Sequence, residues 1–191
     1  VITSTNPGEG KSTVAINLAA ALAQMESVLL VDADLRRPSV ARAFELPSGS
    51  PGLSNVLART EELDDCIHTT EAGFDVLPAG IVPSNPQEML STARFKALVI
   101  DLAKRYERVI IDSAPLNVVS DSLLLATLAD SLVYVARAES TPHRLAQKNI
   151  NLIKHSNLPL TGVVLNRLDL KKQASYGKGG YYDNSYSYGE S

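Results

Sequence analysis

The chain has 191 residues, 45% of them apolar and 20% charged, with 18 basic against 21 acidic side chains and a formal net charge of −3. That length suits one domain with a short appendage, and a domain of this size buries ~70% of the surface its unfolded chain exposes, so it needs neither disulfides nor a structural metal. The charge excludes a generic nucleic-acid-coating protein, which carries a strong basic excess, and no apolar run approaches the ~20 residues that span a bilayer.

The chain opens on a strand, residues 1–4, with no preceding linker, as expected of a piece of a longer protein. A helix follows over 11–25, apolar nearly all round (Val14, Ala15, Ile16, Leu18, Ala19, Ala20, Ala21, Leu22, Ala23), which predicts burial. Next come a strand at 27–31 and a helix at 38–44, then two proline-punctuated loops, 47–51 and 78–86, flanking a strand at 74–77. Helices at 86–91 and 92–107, a strand at 108–111, a helix at 120–129, a strand at 131–136, a helix at 142–157 and a strand at 162–165 complete the series. Most strands are unbroken Val/Ile/Leu runs, the mark of strands covered on both faces. Strand–helix alternation then predicts an α/β fold, a mostly parallel sheet with helices on both sides.

Residues 171–191 differ in kind. They hold four glycines, four serines and five of the chain's seven tyrosines, with no aliphatic residue larger than Ala174. Such a segment cannot bury enough surface to offset its ordering entropy, so the sequence predicts a domain over 1–170 and a flexible tail over 171–191. Tyr176, Tyr181, Tyr182, Tyr186 and Tyr188 sit among Gly, Ser, Asp and Lys rather than among aliphatics, as accessible acceptors would. A sticky low-complexity tail is the other reading.

Pro7-Gly8-Glu9-Gly10-Lys11-Ser12-Thr13 lies between a strand and a helix, the setting of a phosphate-binding loop. Glycines let successive N–H groups point at phosphate oxygens, the helix N-terminus adds its dipole, and Lys11 adds a full charge. Ser12 offers a hydroxyl to Mg²⁺. The first glycine usual in such a loop is replaced by Thr5. Asp32 and Asp34 end one strand and Asp112 ends another, at the sheet edge where ligands bind in this fold class. Three carboxylates beside a triphosphate need a cation, and Mg²⁺ fits because it takes few protein carboxylates. Asp32 and Asp34 are expected to divide the tasks, one facing metal and one facing an acceptor. Of Arg36 and Arg37, one could stabilise phosphate charge; Arg37 suits a solvated or ion-paired role equally. Asp121 and Asp130 suit helix capping. Asn166, at a strand end, could pair with an adenine edge or serve a turn. Cys66 reads as a core-edge thiol, and His68, His143 and His155 show no metal spacing.

Together, the loop at 7–12, Asp32-Ala33-Asp34-Leu35-Arg36 and Asp112-Ser113-Ala114-Pro115 resemble the three nucleotide motifs of bacterial tyrosine kinases, the autophosphorylating kinases of capsule and exopolysaccharide synthesis and export. Asn85-Pro86-Gln87-Glu88-Met89-Leu90 is similar to a further family segment, and the tail resembles the family's tyrosine cluster. The resemblance implies a P-loop NTPase-type fold and ATP and Mg²⁺ as cofactors. It implies that Pro7, Gly8, Glu9, Gly10, Lys11, Ser12 and Thr13 bind ATP, with Asn166 and Arg167 near the adenine. Ser12, Asp34 and Asp112 would serve the metal, and Asp32 would be the base facing the tyrosine. Lys11, Asp34 and Arg36 would complete the catalytic set. It further implies neighbouring copies phosphorylating one another's tails, a membrane-spanning co-polymerase domain or subunit, a cognate tyrosine phosphatase, and a place on the cytoplasmic side of the inner membrane. The family's assembly motif, Glu-x-x-Arg-x-x-Arg, lies upstream of the phosphate loop and outside this sequence, and Ala114 stands where the third motif usually has a proline. The competing reading is a partition- or positioning-type ATPase switch on the same fold. Those proteins carry a signature lysine at the position of Asn6 and lack a tyrosine-rich tail.

Overall fold

The computed structural model describes residues 1–118 and 120–169. The predicted tail and its boundary lie outside the described residues. In chain order the elements are β1 (Ile2–Ser4), α1 (Lys11–Leu22), β2 (Val28–Asp32), α2 (Val40–Ala43), α3 (Leu53–Ala58), a 3-10 turn (Asp64–Cys66), β3 (His68–Thr69), β4 (Asp75–Leu77), α4 (Pro86–Leu90), α5 (Ala93–Arg105), β5 (Arg108–Asp112), α6 (Asp121–Ala126), β6 (Leu132–Arg137), α7 (His143–His155) and β7 (Leu160–Asn166). The strands form one sheet in the order β3-β4-β2-β5-β1-β6-β7. All pairs are parallel except β3–β4.

Alternation along the buried strands divides the core. Leu29, Val31, Leu77 and Ile111 pack with residues of α3, α4, α5 and α6 on one face. Leu30, Val76, Ile110 and Val135 pack with α1 and α2 on the other, and α7 covers β6 through Ile153 and Tyr134. A strand of five buried residues such as β2 must feed both layers because successive side chains point to opposite faces.

Helix starts follow their sequence signals. Asn85 accepts from the Glu88 N–H with Pro86 next in line, and Thr92 accepts from the Phe95 N–H, each satisfying a donor the helix leaves unpaired. The chain leaves β1 for β2 on one side, whereas the connection from β5 crosses to β6 on the other. The C-terminal end of β1 is therefore a topological switch point, where such sheets bind ligands.

Four features differ from the sequence reading. The α1 helix buries only a stripe, Lys11, Ala15 and Ala19, and Leu18 is exposed; alanine's small side chain lets the helix lie close to the sheet on one face alone. Helix α3 is wholly buried over five of its six residues but too short to carry a periodic pattern. The two-residue β3 is an antiparallel edge pair held by register with β4 rather than by its own composition. The apolar run of β7 predicts cover on both faces, yet as an edge strand it leaves Val163 and Leu165 about half exposed.

Candidate active site

The chain leaves β1 in a loop whose inner amides are tied down by a side chain of the loop itself. Gly8 and Gly10 have φ of 81° and 93°, in the left-handed region that favours glycine. A Cβ at Gly10 would overlap Asn166 Nδ2. Glu9 is buried beneath the loop, its Oε2 accepting from the Thr5 N–H at 2.7 Å and the Asn6 N–H at 3.0 Å. Its Oε1 accepts from Thr141 Oγ1 at 2.7 Å, which anchors the loop to the segment before α7. The Glu9 carbonyl accepts from Asn166 Nδ2 at 3.0 Å. Asn6 accepts from Asn117, which accepts from Asn149 of α7, and the Thr5 hydroxyl bonds the buried Tyr134 hydroxyl.

Lys11, at the first position of α1, is buried and lies between carboxylates. Its Nζ is 3.1 Å from Asp34 Oδ2, 3.3 Å from Asp112 Oδ1 and 3.3 Å from Ser12 Oγ. Burial works against the ammonium, but Asp112, Asp34 and Asp32 outweigh it and hold its pKa above the ordinary value. The Asp112 carboxyl is held above its usual range by burial, against the opposing pull of Lys11 and Ser12. Asp32 faces Asp112 across the β2–β5 ladder; burial first, then the Asp112 charge, push its pKa up to about 7. Asp32 is not turned toward the cavity. Its Oδ1 accepts from the Asp34 N–H and its Oδ2 from the N–H groups of Ser39 and Val40, so it fixes the turn into α2.

In front of these groups opens a cavity of about 390 Å³, lined by Pro7, Gly8, Gly10, Lys11, Ser12 and Thr13 of the loop, by Asp34, Ser39, Ala114, Pro115 and Val118, and by Arg36, Arg37, Arg42 and Arg167. The sequence candidates Lys11, Ser12, Asp34, Arg36 and Arg167 thus converge. Glu9 does not line the cavity; it holds the loop from within. Both ends of the Asn166 amide are engaged, Nδ2 with the loop and Oδ1 with the Arg167 N–H. Asp112 reaches the site through its contacts with Lys11. Among the described residues no three His, Cys, Asp or Glu side chains form a metal cluster. The oxygen donors here are two carboxylates and a hydroxyl around one ammonium.

A family model described as an AAA domain matches residues 1–158. The chain is 38% identical over 186 residues to tyrosine-protein kinase YwqD of Bacillus subtilis, an alignment covering 96% of this chain and 78% of that protein. The chain belongs to the bacterial tyrosine-protein kinases. The kinase is also similar to the crystal structure of the VpsO kinase domain, with a TM-score of 0.85 and 43% identity over 88% of this chain and 83% of that one. The septum site-determining protein MinD of Pyrococcus horikoshii, solved with Mg-ADP, shares the fold at a TM-score of 0.73 and 26% identity, over 88% of this chain and 70% of that one. The kinase thus stands nearer VpsO than MinD. Its loop agrees, because Asn6, at the signature-lysine position of the positioning ATPases, is tied to Asn117 of its own chain.

Sequence reasoning misses four residues of the candidate site. Ser39 donates to Ser12 Oγ at 2.9 Å, Arg42 lines the cavity, and Thr141 holds Glu9. Ser39 and Arg42 lie just past the Asp32–Arg36 motif without belonging to it, and Thr141 comes from a distant segment with no motif around it. The fourth is Asp121, which by sequence suits a helix cap; instead Ser120 takes the N-cap position of α6, and Asp121 pairs with Arg36 at 3.0 Å. Asp130 lies on the bend before β6 and opens no helix. Cys66 is fully buried, and desolvation pushes its thiol up to about 11, which leaves it unreactive. Among the described residues no helix is long and apolar enough to cross a membrane.

Proposed function

We propose that this kinase transfers the γ-phosphoryl group of ATP to tail tyrosines of a neighbouring copy, at Tyr176, Tyr181, Tyr182, Tyr186 and Tyr188. The observation that carries the reading is the convergence of Lys11, Ser12, Asp34 and Asp112 at an arginine-rimmed cavity under a glycine loop. The donor set also fits Mg²⁺. Hard oxygens surround the Lys11 ammonium, and one or two carboxylates with a hydroxyl are what Mg²⁺ takes from protein when substrate phosphates supply the rest. Ser12, Asp34 and Asp112 would hold the ion, which would supply positive charge against the phosphates.

The chain's own groups do the remainder. Loop amides and the start of α1 receive the phosphates, and Lys11 supplies a full charge to them. Arg36 meets the charge that spreads over the transferred group in a loose transition state. The tyrosine oxygen forms a bond to the γ-phosphorus, the bond from that phosphorus to the β–γ bridging oxygen breaks, and ADP leaves. The phenol proton passes to Asp32, whose pKa of about 7 suits a base working near neutrality. Because three backbone N–H groups hold that carboxylate, the turn between β2 and α2 must open for the transfer. Arg167, on the cavity wall, takes the adenine side, and Asn166 and Glu9 keep the loop in shape.

The family resemblance places this activity in control of capsule or exopolysaccharide polymerisation and export. A membrane-spanning co-polymerase partner, a cognate phosphatase and a cytoplasmic membrane-side location belong to the same proposal. The test is intact-mass spectrometry of the chain with Mg·ATP, followed by tail-peptide mapping. Added phosphate on the tail tyrosines is the expected result; ATP turnover with no added mass overturns it. Mixing Lys11→Met chains that keep their tyrosines with active chains whose tail tyrosines are phenylalanine tests transfer between copies. Absence of label on the Lys11→Met chains would sink that part.

A further inference from the structure

Asp121 belongs to none of the three nucleotide motifs, yet it is one of the most buried charged groups among the described residues, at 1% exposure. Its Oδ2 accepts from Arg36 Nε at 3.0 Å. Its Oδ1 has no partner among the described residues. A buried carboxylate satisfied at a single oxygen is a poor way to stabilise a fold, because desolvating the charge costs more than one contact returns. Its geometry suits another task. Arginine has five donors in a planar fork, and Asp121 engages only the one on the Nε edge. The other four have no partner among the described residues, and Arg36 lines the same cavity as Lys11 and Asp34. The backbone beneath Arg36 is pinned as well. Leu35 is buried, and the Arg37 N–H donates to Asp34 Oδ1 at 3.1 Å. The helix carrying Asp121 is braced in turn by α4, where Gln87 Nε2 donates to Ser120 Oγ at 3.2 Å.

We infer that Asp121 is a positioning residue for phosphoryl transfer: it grips the back edge of the Arg36 guanidinium so that the terminal N–H groups face the cavity. The inference rests on the reading of Arg36 as the group that meets phosphate charge. It also gives the Asn85–Leu90 segment a role, since α4 supports the helix that carries the anchor. A guanidinium held in advance pays no reorganisation cost during transfer, so loss of the anchor lowers kcat rather than nucleotide affinity.

The experiment measures initial rates of phosphotyrosine formation, KM for ATP, Mg·ADP affinity and melting temperature for the 191-residue chain and for D121N, D121A, R36A and R36A/D121A. The D121N substitution keeps an oxygen acceptor for Nε without the charge, so that variant should fold like the parent. The expected result is a kcat fall of about tenfold or more in D121A, by analogy with other supporting-residue losses, with partial recovery in D121N. KM and Mg·ADP affinity should stay unchanged, and D121A should add nothing to R36A. A D121A kcat equal to that of the parent, a D121A loss that persists in the R36A background, or a D121N chain that loses nucleotide affinity in step with rate overturns the positioning role. Full activity in R36A overturns the reading of Arg36 and this inference with it. Loss in R36A with full activity in D121A leaves Arg36 standing and removes Asp121 alone.

Discussion

Replacing Lys11 by methionine removes an ammonium set among three buried carboxylates, and the structure sets the size of the consequence. Lys11 Nζ lies 3.1 Å from Asp34 and 3.3 Å from Asp112. With an effective dielectric near 20, each contact is worth ~5 kcal/mol of attraction, from which desolvation of the ammonium subtracts several kcal/mol. Removing one partner of a buried pair typically costs ~3–5 kcal/mol. For a chain of this length, a loss of ~3 kcal/mol lowers the melting temperature by roughly 6–12 °C. The sign of the pH dependence follows from the carboxyls. The pKa of Asp112 is already raised and rises further without Lys11, while Asp32 stands at about 7. A carboxyl with a folded pKa above its unfolded value of ~4 subtracts stability as pH climbs from the unfolded value through the folded one. The deficit of Lys11→Met is therefore small at pH 5 and largest at pH 8, and added Mg²⁺ narrows it by binding the folded state. Thermal and urea melts of both chains at pH 5 and pH 8, in chelator and in Mg²⁺, check this. Equal stability at pH 8 in chelator, or a deficit that ignores pH, would refute the charge argument. The same variant should form no phosphotyrosine.

Asp32→Asn should cut kcat by about 10²-fold or more while leaving Mg·ADP affinity unchanged; calorimetry showing affinity lost in step with rate would mean that Asp32 acts by shaping the turn at Ser39 and Val40. In the parent chain kcat should rise with pH through about 7 as Asp32 loses its proton, and a flat profile counts against the base role. Glu9→Ala leaves the Thr5 and Asn6 N–H groups without their acceptor, at ~1–3 kcal/mol for each that stays buried and unpaired. Weaker Mg·ADP binding and a lower melting temperature should follow, with Glu9→Gln intermediate because its amide oxygen still accepts; parent-like values for Glu9→Ala would remove the clasp. Gly10→Ala should abolish nucleotide binding, since its φ of 93° disfavours a side chain and the new methyl would displace Asn166; retained binding would mean the Asn166 contact is dispensable.

The residues that meet at the cavity are legible in the sequence because their signals are local. A strand, a glycine turn and a helix start fall within a short stretch around Lys11, and Asp32, Asp34 and Asp112 end apolar runs that can only be buried strands. Periodicity and alternation likewise carry the parallel sheet, because unbroken Val/Ile/Leu runs need cover on both faces. The placement of side chains relative to one another is not legible. Glu9 sits in the loop motif yet turns inward because Thr141, 132 positions away, receives it. Asp32 and Asp34 are two apart, but the return of the chain at Ser39 and Val40 makes one a backbone anchor and the other a partner of Lys11. Asp121 resembles any helix-opening carboxylate until the fold brings Arg36 against it from 85 positions away. Sequence alone determined the longer helices, the buried strands and which residues carry charge to the switch point, since those follow from local pattern and burial. Only tertiary structure decided which of those charges face the cavity and which hold it in shape, because hydrogen-bond partners from distant segments leave no periodic trace in the chain.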